Sequence, residues 1–226
     1  LVELWLSNVA ATQKALSSIP GGDTFFHGFS RMTLAKIPLI GGSVLLRVTL
    51  PPGYLSLASI IERQKRVDPK QVAWMITRLH NYLCLLDKAA TSFLITPESI
   101  FIDPIKHDLV VVEGWQYAPK LNAKLLAAPA RAARLCPEMI SGGFLRLPYI
   151  RKMMMYSMRC ALGDPIGFEM TKDKAVPSKL TSWVTSEPKS GEPARDLELW
   201  NQRKTDVFGP ARFVSWDLTP EKLYNL

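Results

Sequence analysis

Apolar positions in the first twenty residues recur at helical spacing. Trp5, Val9, Leu16 and Ile19 line one face with Thr12 between them, and Pro20-Gly21-Gly22 supplies a stop. The pattern then shifts. TFFHGFSRMTLAKI and GGSVLLRVTL, rich in aromatic and β-branched residues and separated by a Pro-Leu-Ile-Gly-Gly turn, predict strands that end at Pro51-Pro52-Gly53. LSLASIIERQKR predicts a short helix. Asp68-Pro69 opens a longer one, because aspartate suits the cap and proline is tolerated in the first turn. Val72, Met75, Ile76, Leu79, Leu83 and Leu86 repeat along it with the period of a core helix.

SIFIDP and HDLVVVEG predict two short strands around Pro104-Ile-Lys-His107. An irregular, basic, proline-containing region follows, then the helix IRKMMMYSMRCALG. Near the end, a polar stretch at residues 186 to 194 stands between two helices as a mobile surface loop, and Phe208-Gly209-Pro210 forms a turn. The expected class is α+β, with a sheet-containing lobe over residues 1–52 and a mainly helical lobe over 53–226.

At 226 residues and 47% hydrophobic, the chain fills at least one substantial core. Its apolar runs, SVLLRVTL and HDLVVV among them, are too short to cross a bilayer, and residues 1 to 20 lack the basic leader and apolar stretch of a signal peptide. Cys84, Cys136 and Cys160 are odd in number and widely spaced, without a Cys-x-x-Cys unit, so free thiols in a reducing cytoplasm are expected rather than a metal site. His27, His80 and His107 sit in dissimilar contexts and no Gly-x-Ser-x-Gly elbow is present, which gives a serine hydrolase no support. The net charge is +8, and residues 116 to 160 hold eight basic side chains against Glu138 alone. That surplus makes nucleic acid a candidate partner through this region, alongside an ordinary solvated face.

FLITPESIFIDP carries a resemblance. Taken with the order of elements around it, the stretch resembles the eukaryotic-type protein kinase superfamily, from the regulatory helix of the small lobe onward. GGSVLLRVTLPPGYLSLASII resembles the passage from small lobe to large lobe. WMITRLHNYLCLLDKAATSFLITPESIFID resembles the long large-lobe helix and catalytic loop. Where kinases read His-Arg-Asp-Leu-Lys-Pro-Glu-Asn, Pro97 and Glu98 match. Ser92 and Phe93 replace His-Arg, Leu94 replaces the base, Thr96 replaces lysine and Ser99 replaces the metal-binding asparagine.

The resemblance implies a degenerate, pseudokinase-like member, of the kind encoded by bacterial viruses, acting in the cytoplasm, a host's if viral. Leucine accepts no proton and serine is a weak neutral magnesium ligand, so no catalytic residue is expected. If ATP and magnesium bind, Ser99 and Glu113, the latter in the carboxylate-glycine pair Glu113-Gly114, are the cofactor-binding candidates. On this resemblance Glu3 is expected to correspond to the helix glutamate that pairs with the small-lobe lysine, and the strands carrying that lysine and the Gly-rich loop would be expected before Leu1. CPEMI, with Glu138, resembles the segment after an activation loop. The helix after it lacks the aspartate that braces an active loop. The implied function is a catalytically inactive interaction or scaffolding protein with a protein partner. A divergent phosphotransferase, with Glu98 or Asp103 as base and Glu113 on the metal, and a basic nucleic-acid-associated protein stand as alternatives.

Overall fold

The computed structural model describes residues 1–64, 67–112, 114–124, 146–163 and 177–210. It is an α+β fold in which two small antiparallel sheets precede a set of packed helices. Helix α1 (Val2–Ser17) buries Trp5, Asn8, Val9, Thr12 and Leu16, the face expected from its spacing. Residues 24–30, expected in a strand, instead belong to helix α2 (Gly22–Ser30). Phe25 stacks on Phe29 one turn later at 4.9 Å, so the aromatic run serves a helical face. Gly21 starts the helix at φ +76°, and a Cβ on Gly22 would lie 2.1 Å from the Leu16 carbonyl oxygen. Two glycines therefore allow α2 to turn tightly off the end of α1.

Strands β1 (Thr33–Pro38) and β2 (Val44–Thr49) form a hairpin in the register Thr33↔Thr49 to Pro38↔Val44. A second sheet is ordered β3 (Leu55–Ser56), β4 (Ile100–Asp103), β5 (Asp108–Val111). Helix α3 (Leu57–Gln64) leads from β3 toward α4 (Pro69–Lys88). The Asp68 side chain accepts a 2.7 Å hydrogen bond from Lys70 N, and Pro69 lies in the first turn of α4, as the sequence predicts.

Helix α4 is the axis of the core. Val72, Met75, Leu79, Tyr82, Leu83 and Leu86 along it are fully buried. Each such side chain contributes about 1.5–3 kcal/mol through removal from water. Around it pack α1, α5 (Leu147–Gly163) and α7 (Pro193–Phe208), with α6 (Ser178–Val184) joining the last two. Asp108 ties the layers together. It accepts from Tyr54 Oη at 2.7 Å and pairs with Arg31 Nη1 at 3.0 Å. Burial and that hydrogen bond push the Tyr54 hydroxyl up to about 12.

Among the described residues no helix is long and apolar enough to cross a membrane. Cys84 is a free thiol, and burial pushes it up to about 11, leaving little thiolate at neutral pH. Cys136 lies outside the described residues.

Candidate functional site

The segment after α4 decides what the kinase-like stretch can do. Phe93, Leu94 and Ile95 are buried to 1% exposure or less. Phe93 meets the Trp115 ring edge-on at 4.6 Å and Tyr82 at 6.3 Å. Leu94, standing where the resemblance puts a proton acceptor, is a core side chain. Its backbone is held close from the other side, where a Cβ on Gly114 (φ +100°) would lie 3.3 Å from Phe93 Cζ and 3.5 Å from the Leu94 carbonyl oxygen.

Two serines fix this segment. The Ser92 hydroxyl donates to the Pro119 carbonyl. From α5, Ser157 Oγ accepts from Ile95 N at 3.0 Å and donates to Met154 O at 2.9 Å. A neutral hydroxyl from the middle of α5 thus holds the backbone at Ile95. The signal was a lone serine inside the apolar run MMMYSM.

Ser99 is fully buried and closes the turn. Its hydroxyl accepts from Thr96 N at 2.9 Å and donates to Thr96 O at 2.8 Å, while its carbonyl accepts from Val112 N at 2.9 Å. The oxygen is neutral and already engaged twice, a poor fit to a magnesium ion carrying triphosphate charge. Glu113 lies outside the described residues, as do Glu138 and the rest of CPEMI.

The alternative bases have structural positions. Asp103 is 2% exposed, and its Oδ1 accepts from Ile105 N and Lys106 N, both at 3.0 Å, while Oδ2 pairs with Lys106 Nζ at 3.1 Å. It builds the β4–β5 turn. Glu98 is exposed on the other side of Pro97. His107 occupies the turn at φ +52°, stacks on Trp74 at 4.1 Å and lies 3.2 Å from Gln71 Oε1, with burial holding its imidazole below the ordinary value.

At the small-sheet end, Glu3 Oε1 pairs with Lys36 Nζ of β1 at 3.2 Å, a contact open to solvent. Deeper in, Asn8 Nδ2 donates to Trp115 O at 2.7 Å, tying α1 to the short 3-10 turn Trp115–Tyr117.

A buried ionic cluster was not foreseen. Asp196 of α7 accepts from Arg159 Nη2 at 2.7 and 2.8 Å and lies 2.9 Å from His80 Nε2. His80 Nδ1 faces the Ile76 carbonyl at 3.0 Å. Arg159 Nη1 donates to Trp183 O at 3.3 Å, Ser186 O at 3.1 Å and Ser186 Oγ at 3.0 Å, and its guanidinium carbon lies 3.8 Å over the Trp183 ring. Burial alone would raise the Asp196 carboxyl. The His80 hydrogen bond and the Arg159 charge outweigh it and hold the group below the usual range. The expected mobile stretch after α6 is therefore anchored where it begins, at Ser186, and again by Lys152 to Glu187 at 3.1 Å.

The same contacts redistribute the basic region. Arg151 pairs with Asp87 at 2.6 Å, Lys152 with Glu187 and Arg159 with Asp196, while Lys120, Lys124 and Arg146 are exposed. Arg131 and Arg134 lie outside the described residues.

No protein-family model matches this chain, and no curated protein sequence matches it.

Proposed function

We propose that this chain is a kinase-shaped interaction protein in which the place of phosphotransfer chemistry is filled by core packing. The observation that carries the reading is the full burial of Leu94, the residue that the kinase resemblance aligns with the proton acceptor. It is flanked by Phe93 packed on Trp115 and by Ile95 bonded to Ser157. Such a segment supports a fold and offers no carboxylate to a substrate hydroxyl. The order of elements, α1 through the hairpin to β3, α4, the Pro97-Glu98 turn, β4, β5 and α5, supports the kinase-like assignment.

A protein partner has a surface suited to it. Leu39, Ile40, Val44 and Leu45 around the β1–β2 turn are 48%, 105%, 41% and 50% exposed. Among the described residues neither strand has a second neighbour. Clustered exposed apolar side chains beside open strand edges mark an association surface. The nucleic-acid reading is weaker, because Arg151, Lys152 and Arg159 are taken up by internal ion pairs.

The test compares the native protein with Ile40→Asp/Leu45→Asp in its own cell. Proteins that co-purify with the native chain should be lost from the variant while its unfolding midpoint stays unchanged, and a purified partner should bind the native chain saturably. Retention of the same partners by the variant removes the hairpin from the account, and absence of any stoichiometric partner removes the interaction reading.

A further inference from the structure

A cavity of about 410 Å³ opens between α6 and α7 beside Trp183. Its volume falls within the range of small-molecule sites, about 300–1,000 Å³. Arg203, Lys189, Arg159, Trp183 and Leu199 all line it.

Among the described residues, basic side chains outnumber acidic ones on the cavity lining, with Arg159, Lys189 and Arg203 against Asp206. Arg203 lies over the Trp183 ring at 5.4 Å and donates one hydrogen bond, to Ser182 Oγ at 3.2 Å. Among the described residues neither Arg203 nor Lys189 forms an ion pair. The carboxylate on the wall, Asp206, already has Lys179 at 4.0 Å. Arg203 also sits near enough to Arg159 to oppose its charge. Two guanidiniums lie against one indole, and of the two Arg203 has no counter-ion among the described residues.

On two of the lining residues, Arg159 Nε and Trp183 Nε1 are buried N–H groups without an acceptor among the described residues, their residues being 1% and 5% exposed. Orphaned buried donors are costly. Here they add unscreened positive partial charge to the field inside the cavity. The chemistry that relieves such a site is a compact, multiply charged anion with several acceptor oxygens. A guanidinium fork and an ammonium together match a phosphate dianion.

We propose that the α6–α7 cavity is a phosphomonoester site, the phosphate held by Arg203 and Lys189 and the organic part lying against Leu199. The inference rests on this cavity alone and is independent of the interaction reading above.

The test titrates the whole protein with phenyl phosphate, a phosphoserine tripeptide and benzyl alcohol, following the Trp183 indole N–H resonance and calorimetric heat. Phenyl phosphate or the peptide should saturate, benzyl alcohol should not, and the tighter of the two shows whether a free metabolite or a phosphorylated chain suits the site. Arg203→Gln and Lys189→Met should each weaken binding about tenfold, since each removes a charge-assisted contact. Their unliganded unfolding midpoints should match the native chain, both positions being partly or fully exposed. Lack of saturable binding of either phosphate at about 10 mM, or affinities unmoved by both substitutions, overturns the proposal.

Discussion

Asp196→Asn isolates the worth of the buried ionic cluster. The two residues are nearly isosteric, so packing of α7 is kept while the charge is removed. The asparagine NH2 then faces Arg159 Nη2, which can only donate, or His80 Nε2, which accepts only if the ring carries its proton on Nδ1; these stand 2.7 and 2.9 Å from the native oxygens. The Arg159 side chain is 2% exposed and has no second carboxylate among the described residues, so its charge is left in the core. Removing one partner of a buried pair costs about 3–5 kcal/mol. For a domain of this size that lowers the thermal midpoint by about 6–20 °C.

The same molecule holds the control. Arg195 and Glu198 pair at 2.6 Å with both side chains about 60% exposed. Glu198→Gln should cost about 0–0.5 kcal/mol, because water screens the pair and the freed arginine stays solvated. Urea unfolding at neutral pH, followed by tryptophan fluorescence, measures both variants with a common slope. If Asp196→Asn costs under about 1 kcal/mol, or no more than Glu198→Gln, burial is not what sets the strength of these pairs and the reasoning fails.

Further outcomes follow from the same contacts. Ser157→Ala should destabilise by about 1–3 kcal/mol in urea unfolding, because it leaves the buried Ile95 N–H without an acceptor. Leu94→Asp should cost about 4 kcal/mol or more, placing a carboxylate in a fully buried position, and should show no phosphotransfer in a radiolabel assay. Asp196 is held below the ordinary carboxyl value of about 3.9, so its contribution is complete above that pH and is lost as pH falls through the depressed folded value. Acid titration of stability should therefore show a loss that Asp196→Asn lacks.

Helix α4 was legible because one local signal and one periodic signal agree in it. Asp68-Pro69 caps the start, and the apolar stripe runs unbroken to Leu86. Helix α2 was misread because Phe25, Phe26 and Phe29 favour strands by type while their spacing fits a helix, and tertiary packing against Tyr82 and Trp115 decided the matter. The hydrogen bond that Ser157 accepts from Ile95 N gave no sign in the sequence, since the two residues meet only through the fold. The ionic cluster was invisible for the same reason, joining residues 37 and 116 positions apart whose neighbours in sequence give no sign of a shared site.

The most direct test of the central claim is a calorimetric titration of the whole native protein with ATP and magnesium. The account predicts no saturable, magnesium-dependent heat up to about 5 mM nucleotide. Saturable binding that requires magnesium, with transfer of the terminal phosphate to any acceptor, would contradict it and return Glu113 and Ser99 to the centre of a working site.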